Sequence, residues 1–144
     1  LMEAAEAVDD KLLIEKVKKV SLQMASAVLI GLDKDGGLKN ELTGTHWDNE
    51  KHWWAQAEAM VGFFNAYQEN GEKNYLQQSL HSWEFIQKNI IDKKNGEWFW
   101  GIGKNKNIME EDKAGFWKCP YHNSRACMEV IRRCIIHDSN MAIF

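Results

Sequence analysis

From Lys11 onward, apolar side chains at Leu13, Val17, Val20, Met24, Ala27 and Val28 recur at intervals of three and four, which places them on one face of an α-helix. The pattern stops near Gly31. DKDGG, Asp33 to Gly37, then reads as a turn, and the LKNELTG stretch after it fits a short strand or a loop. Helical spacing returns from about Asn49 with Trp53, Ala57, Met60, Phe64 and Tyr67. It closes at Asn70-Gly71, two residues that tolerate the left-handed conformation of a C-terminal cap. A third helix is predicted from Lys73 to Ile91, with Leu76, Leu80, Trp83, Ile86 and Ile90 on one side, ending in DKKNG, Asp92 to Gly96. In EWFWGI, Trp98, Trp100 and Ile102 alternate with Phe99 and Gly101, which favours a short strand, half of a small hairpin. A long loop leads to Trp117. Pro120, which is excluded from a helix interior, places the start of the last helix near His122 or Asn123, and its pattern runs to about Ile136.

The turns at Asp33 and Asp92 stand 59 residues apart and expose a repeat. Each ends a helix, and each is followed by an extended stretch, an aromatic junction (KHWW or WKCPYH) and another helix. A unit of this kind is one helical hairpin, and stacked hairpins make solenoids or closed α/α toroids. The predicted class is therefore all-α, with residues 1–144 as a single domain forming an arc of a larger ring. The opening LMEAAEAV is already helix-forming, with no capping residue and no initiating methionine, and reads as a cut through a helix.

The composition narrows the function. The 144 residues are 44% hydrophobic and 27% charged, enough for one domain with a real core. A net charge of -3 gives no footprint for nucleic acid. The longest apolar run, Ala25 to Leu32, is broken by Ser26 and Gly31 and falls far short of the roughly 20 residues that span a bilayer, so no membrane association is expected. No basic segment ahead of an apolar stretch marks a signal peptide. Cys119, Cys127 and Cys134 form no CxxC pair and leave an odd count, which points to reduced thiols and a cytoplasmic location. Cys127 and Cys134, seven apart, are expected to share a helix face and pack in the core.

Five of the seven tryptophans, Trp53, Trp54, Trp98, Trp100 and Trp117, fall in the junctions and the short strand. They serve either the core or, at the mouth of a toroid, the apolar faces of sugar rings. Trp54 and Trp117 are the leading candidates for sugar contact, with Trp53 beside them. Glu58 lies four residues after Trp54 on the same helix face, flanked by the small residues of AQAEAM, and is either a solvated group or a site residue. His122 opens a helix, where the N-terminal dipole favours a neutral imidazole able to accept a proton; the alternative is a structural histidine. Arg125, one turn on, can bind an oxyanion or a sugar hydroxyl. His46, His52, His81 and His137 show no HExxH or paired-ligand spacing, so no metal is assigned, and no glycine-rich phosphate loop calls for a nucleotide cofactor.

The segments WKCPYHNSRACMEVIRR, KHWWAQAEAMVGFFNAY and NGEWFWGI together resemble the N-acylglucosamine 2-epimerase family, in particular its cellobiose 2-epimerase branch. The resemblance covers nearly the whole chain and implies an (α/α)6 barrel, of which this sequence looks like the C-terminal portion, with the remainder expected upstream. It implies epimerisation at C2 of a reducing-end sugar (cellobiose or a related oligosaccharide, N-acylglucosamine or mannose) without a cofactor. His122 matches one of the family's two proton-transferring histidines, Trp117 a substrate-stacking tryptophan, and Trp54 and Glu58 a tryptophan and a glutamate lining the site. Arg125 belongs to the same motif. The partner histidine matches no residue of this chain, so these 144 residues alone are expected to be inactive. An aldose–ketose isomerase shares the enediolate chemistry. Two other readings stay open on the residues: a glycoside hydrolase using Glu58 with Glu110, Glu111 or Asp112, and a non-catalytic carbohydrate-binding module.

Overall fold

A computed structural model describes the backbone of residues 2–141 and the side chains of residues 2–135. His137 thus lies outside the described side chains, while α5 continues past the predicted end at Ile136 to Met141. Helices α1 (Met2–Val8) and α2 (Lys11–Val28) come first, and a single 3-10 turn, Leu29–Gly31, closes α2. Strands β1 (Glu41–Thr43), β2 (His46–Asp48) and β3 (Lys51–His52) lead into α3 (Trp53–Asn70). Then come α4 (Lys73–Phe85), continued by a π-turn over Ile86–Ile90, β4 (Gly101–Ile102) and α5 (Tyr121–Met141). No helix among the described residues is long and apolar enough to cross a membrane.

Local chemistry explains the boundaries. Asp10 caps α2, its carboxylate accepting the Leu12 and Leu13 amides at 2.9 and 3.2 Å. Gly71, at φ 74°, ends α3 in the left-handed region and returns its N–H to the Tyr67 carbonyl. Gly36 in the first turn has φ 84°, and a Cβ there would lie 2.4 Å from the His81 carbonyl oxygen, so only glycine fits.

The sequence repeat is a structural one. Leu32 bridges Leu38 across the first turn and Ile91 bridges Trp98 across the second. The two units then join each other: β3 and β4 pair antiparallel, Lys51 with Ile102 and His52 with Gly101. The alternating EWFWGI stretch makes local antiparallel bridges, Trp98 with Ile91 and Ile102 with Ile108, as expected for half of a small hairpin, and its two-residue strand also pairs with β3 of the other repeat. LKNELTG forms β1, paired with β2 in register Glu41 to Asp48.

Helix α3 is the centre of the fold and buries side chains on two sides. Trp53, Ala57 and Met60 join Phe85, Ile86, Ile90, Trp98 and Ala126 in one core cluster, while Ala59, Phe63 and Ala66 join Tyr75 in another. Three predicted faces need correction. Helix α2 docks through Leu22, Ala25, Val28 and Leu29 near its C-terminal end, whereas Leu13, Val20 and Met24 are exposed. Apolar residues lie on more than one side of α2, and the side nearest α3 is the one that packs. In the predicted third helix Ile86 and Ile90 are fully buried and Trp83 packs against the core as expected, but Leu80 faces out and the buried row of α4 is Tyr75, Ser79, Ser82 and Phe85. Serines can take these positions because their hydroxyls are satisfied: Ser79 Oγ donates to the Met60 carbonyl at 2.8 Å and Ser82 Oγ to that of Gly36 at 3.4 Å. Cys127 packs half-buried against the first cluster as expected, but Cys134 is exposed, because α5 turns only its Ala126, Cys127 and Val130 side toward that cluster.

Candidate active site

The first turns of α3 and α5 are brought side by side by the contact between the two helices. Ala57 and Ala126 are both 0% exposed and belong to one cluster; with only a methyl group at each position, the helices approach closely. The next residue after Ala57 is Glu58, the residue before Ala126 is Arg125, and one turn earlier on α5 is His122. The α3–α5 contact thus brings three polar side chains together.

Their geometry is specific. The His122 Nδ1 lies 2.9 Å from Glu58 Oε1, and the Arg125 Nη2 donates to both Glu58 oxygens at 2.5 Å. Burial works to raise the Glu58 carboxyl pKa, but the hydrogen bonds and charge of Arg125, and then of His122, outweigh it and hold the pKa below the ordinary value. Glu58 in turn raises the Arg125 pKa above that of a free guanidinium. An ionised Glu58 can only accept, so a neutral His122 must carry its proton on Nδ1, which leaves the Nε2 lone pair available as a base. The Trp54 ring sits 6.2 Å from the His122 ring, centroid to centroid, tilted by 49°.

A cavity of about 690 Å³ opens beside this group, with Trp54, Glu58 and Arg125 on its wall together with apolar side chains such as Val61 and Phe63. The start of α3 is held rigidly. The buried Gln56 amide donates to the Leu38 and His52 carbonyls at 2.9 and 3.1 Å and accepts the Leu38 N–H at 2.7 Å. Lys51, also buried, reaches Asp35 at 2.7 Å and Asp33 at 3.0 Å.

Of the six candidates, Trp54, Glu58, His122 and Arg125 come together. Trp53 does not: it is 4% exposed, its ring 4.6 Å from that of Trp100 and tilted by 58°, because its position on α3 points into the core toward Phe85 and Trp98. Trp117 is 80% exposed, edge-on to Phe116 at 4.8 Å, on the loop tip that precedes α5. Arg125, expected to meet substrate, instead spends Nη2 on Glu58. A network at Glu97, Lys118 and Asn123 was not anticipated; a lysine between the Trp117 and Pro120 landmarks is its only trace in the sequence.

Helical hairpins in tandem, with short strands between them, define a mostly helical repeat protein in which an imidazole, a carboxylate and a guanidinium meet near the N-terminal ends of two helices. Known proteins are similar over most of the chain. The profile of the N-acylglucosamine 2-epimerase (GlcNAc 2-epimerase) family matches residues 1–126. A cellobiose 2-epimerase of Bacteroides fragilis is 42% identical over 134 residues, covering 91% of this chain and 34% of that protein. One from Dictyoglomus turgidum is 40% identical over 132 residues, with 91% and 34% covered. The crystal structure of a sugar epimerase from a ruminal bacterium superposes with a TM-score of 0.85 at 36% identity, covering 92% of this chain and 34% of that one. The chain belongs to the N-acylglucosamine 2-epimerase family, and it spans about a third of the length of the curated relatives it matches.

Proposed function

We propose that this chain is the C-terminal part of an (α/α)6 barrel that epimerises the reducing-end sugar of cellobiose or a related saccharide at C2. The observation that carries this reading is the Glu58–His122 hydrogen bond, locked from behind by Arg125. It yields a base of defined tautomer beside the Trp54 ring, hydrogen-bonded to a glutamate that lines the cavity, without burying an unpaired charge.

In the ring-opened sugar the C1 aldehyde acidifies the C2–H. His122 Nε2 takes that proton, the C2–H electron pair moves into the C1–C2 bond, and the aldehyde oxygen becomes the anion of an enediolate. The imidazolium so formed is stabilised by the Glu58 carboxylate through Nδ1–H. A second acid on the opposite face returns a proton to C2 and the carbonyl reforms, inverting the centre. That second group is assigned, by family resemblance, to a histidine outside these 144 residues. Trp54 and Trp117 stack on sugar faces. Return of the proton to C1 instead would give the aldose–ketose isomerase reaction.

In the hydrolase alternative Glu58 is unsuited to the general acid, which needs a raised pKa, because Arg125 and His122 lower its own. That reading would leave Glu58 as the ionised carboxylate and require Glu110, Glu111 or Asp112 as the acid.

The test is cellobiose turnover by the full-length protein in D2O. An intact disaccharide with mannose at its reducing end and deuterium at C2 is expected, and His122→Ala should lower kcat by about two orders of magnitude or more. Glucose as sole product, or full turnover by the His122 variant, overturns the proposal.

A further inference from the structure

Behind the site, one carboxylate grips the chain on both sides of His122. The Glu97 Oε1 accepts the Lys118 Nζ at 3.3 Å and the Asn123 Nδ2 at 2.8 Å. The Lys118 side chain is 0% exposed, and its ammonium also donates to the Trp98 carbonyl at 2.9 Å and the Lys113 carbonyl at 2.7 Å, so all three N–H bonds have acceptors. It lies 5.2 Å from the centre of the Trp53 ring. The Lys118 carbonyl accepts the Gly115 N–H at 2.8 Å, closing a short loop whose tip is Phe116 and Trp117.

Two features of this arrangement work against stability. Glu97 holds φ 61°, a left-handed conformation that a non-glycine residue adopts at a cost. Asn123 is 6% exposed, yet its Oδ1 has no hydrogen-bond partner among the described residues. A buried orphan acceptor is costly, so Asn123 is kept for the bond its amide makes to Glu97. A residue chosen for packing alone would have been apolar.

We propose that Glu97, Lys118 and Asn123 are positioning residues for the epimerisation: by fixing the chain at 118 and 123 they set where His122 and Trp117 stand relative to the sugar. This rests on the function proposed above. Lys118 governs both ends, the Trp117 tip and the start of α5, whereas Asn123 governs only the helix start. A displacement of about 1 Å at a proton-transferring group is enough to lower turnover by up to roughly a hundredfold.

The experiment uses the full-length protein, with kcat and KM for cellobiose measured at a temperature where circular dichroism shows each variant folded. Asn123→Ala and Glu97→Gln should each lose about tenfold or more in kcat, with KM for Asn123→Ala within about twofold of the wild type. Because they act through one carboxylate, the double variant should lose little more than either single one. Lys118→Met, if it folds, should lower kcat and also raise KM severalfold. Folded Asn123→Ala and Glu97→Gln proteins with kcat within about twofold of the wild type overturn the clamp while leaving the proposed reaction standing. A wild-type protein that does not epimerise cellobiose sinks both.

Discussion

Arg125 decides what Glu58 is. Without the guanidinium, burial is left to raise the carboxyl pKa, and only His122 opposes it. Protonated Glu58 no longer accepts from Nδ1–H and no longer stabilises an imidazolium. A group whose pKa is depressed keeps its contribution above that pKa and loses it as pH falls; raising the pKa moves that loss to higher pH. Arg125→Met in the full-length protein should therefore cost more turnover near about pH 5 than near about pH 8, where an ordinary carboxylate is ionised anyway. The ratio of variant to wild-type kcat across that range is the measurement, and a flat ratio would show that Arg125 does not act through the charge of Glu58. This role was not legible in the sequence. The spacing of His122 and Arg125 puts them on one helix face, but a guanidinium aimed at substrate and one aimed at Glu58 look the same until α3 and α5 are placed side by side.

Among the elements, sequence pattern revealed helix existence, turn chemistry and the buried face of α3 well, and the facing of α2 and much of α4 poorly. The repeat at Asp33 and Asp92, the Asn70-Gly71 stop and Pro120 ahead of α5 all rest on backbone conformations that only a few residue types supply, so they survive any tertiary context. Facing is set by the neighbour, and α2 and α4 have apolar residues on more than one side; their buried rows, Leu22–Ala25–Leu29 and Tyr75–Ser79–Ser82, were fixed by where α3 lay. The same dependence isolated Trp53 from Trp54, adjacent residues pointing to core and cavity. The α3–α5 contact is the sensitive one, since each helix puts a fully buried alanine, Ala57 or Ala126, into the shared core cluster. Ala126→Leu adds three carbons where there is no room and should cost about 1–3 kcal/mol, read as a lowered thermal midpoint. It should also pull His122 away from Glu58, so turnover should fall below what the residual folded fraction explains. Unchanged stability and turnover would mean that the two helices are not held at alanine distance.

On the scale of the whole molecule, what these residues leave uncovered matters as much as what they bury. Leu12 and Met24 on α2 and Met128 and Ile131 on α5 are each more than half exposed, as are Phe116 and Trp117 at the loop tip. Large apolar side chains left in water on two helices suit faces that meet something else. The proposed barrel supplies the partner: further helical hairpins of the same protein would lie against α2 and α5, as neighbouring units do in any stacked repeat, where each buries its face on the next. Expressed alone, the 144-residue chain should then bind an apolar dye such as anilinonaphthalene sulfonate and self-associate with rising concentration, while the full-length protein should do neither to the same degree. Dye fluorescence and sedimentation measure the two effects. A chain that stays monomeric, excludes the dye and unfolds in one sharp transition would mean that the α2 and α5 faces are stable against water by themselves, and the barrel would lose the energetic reason for its remaining helices to dock there.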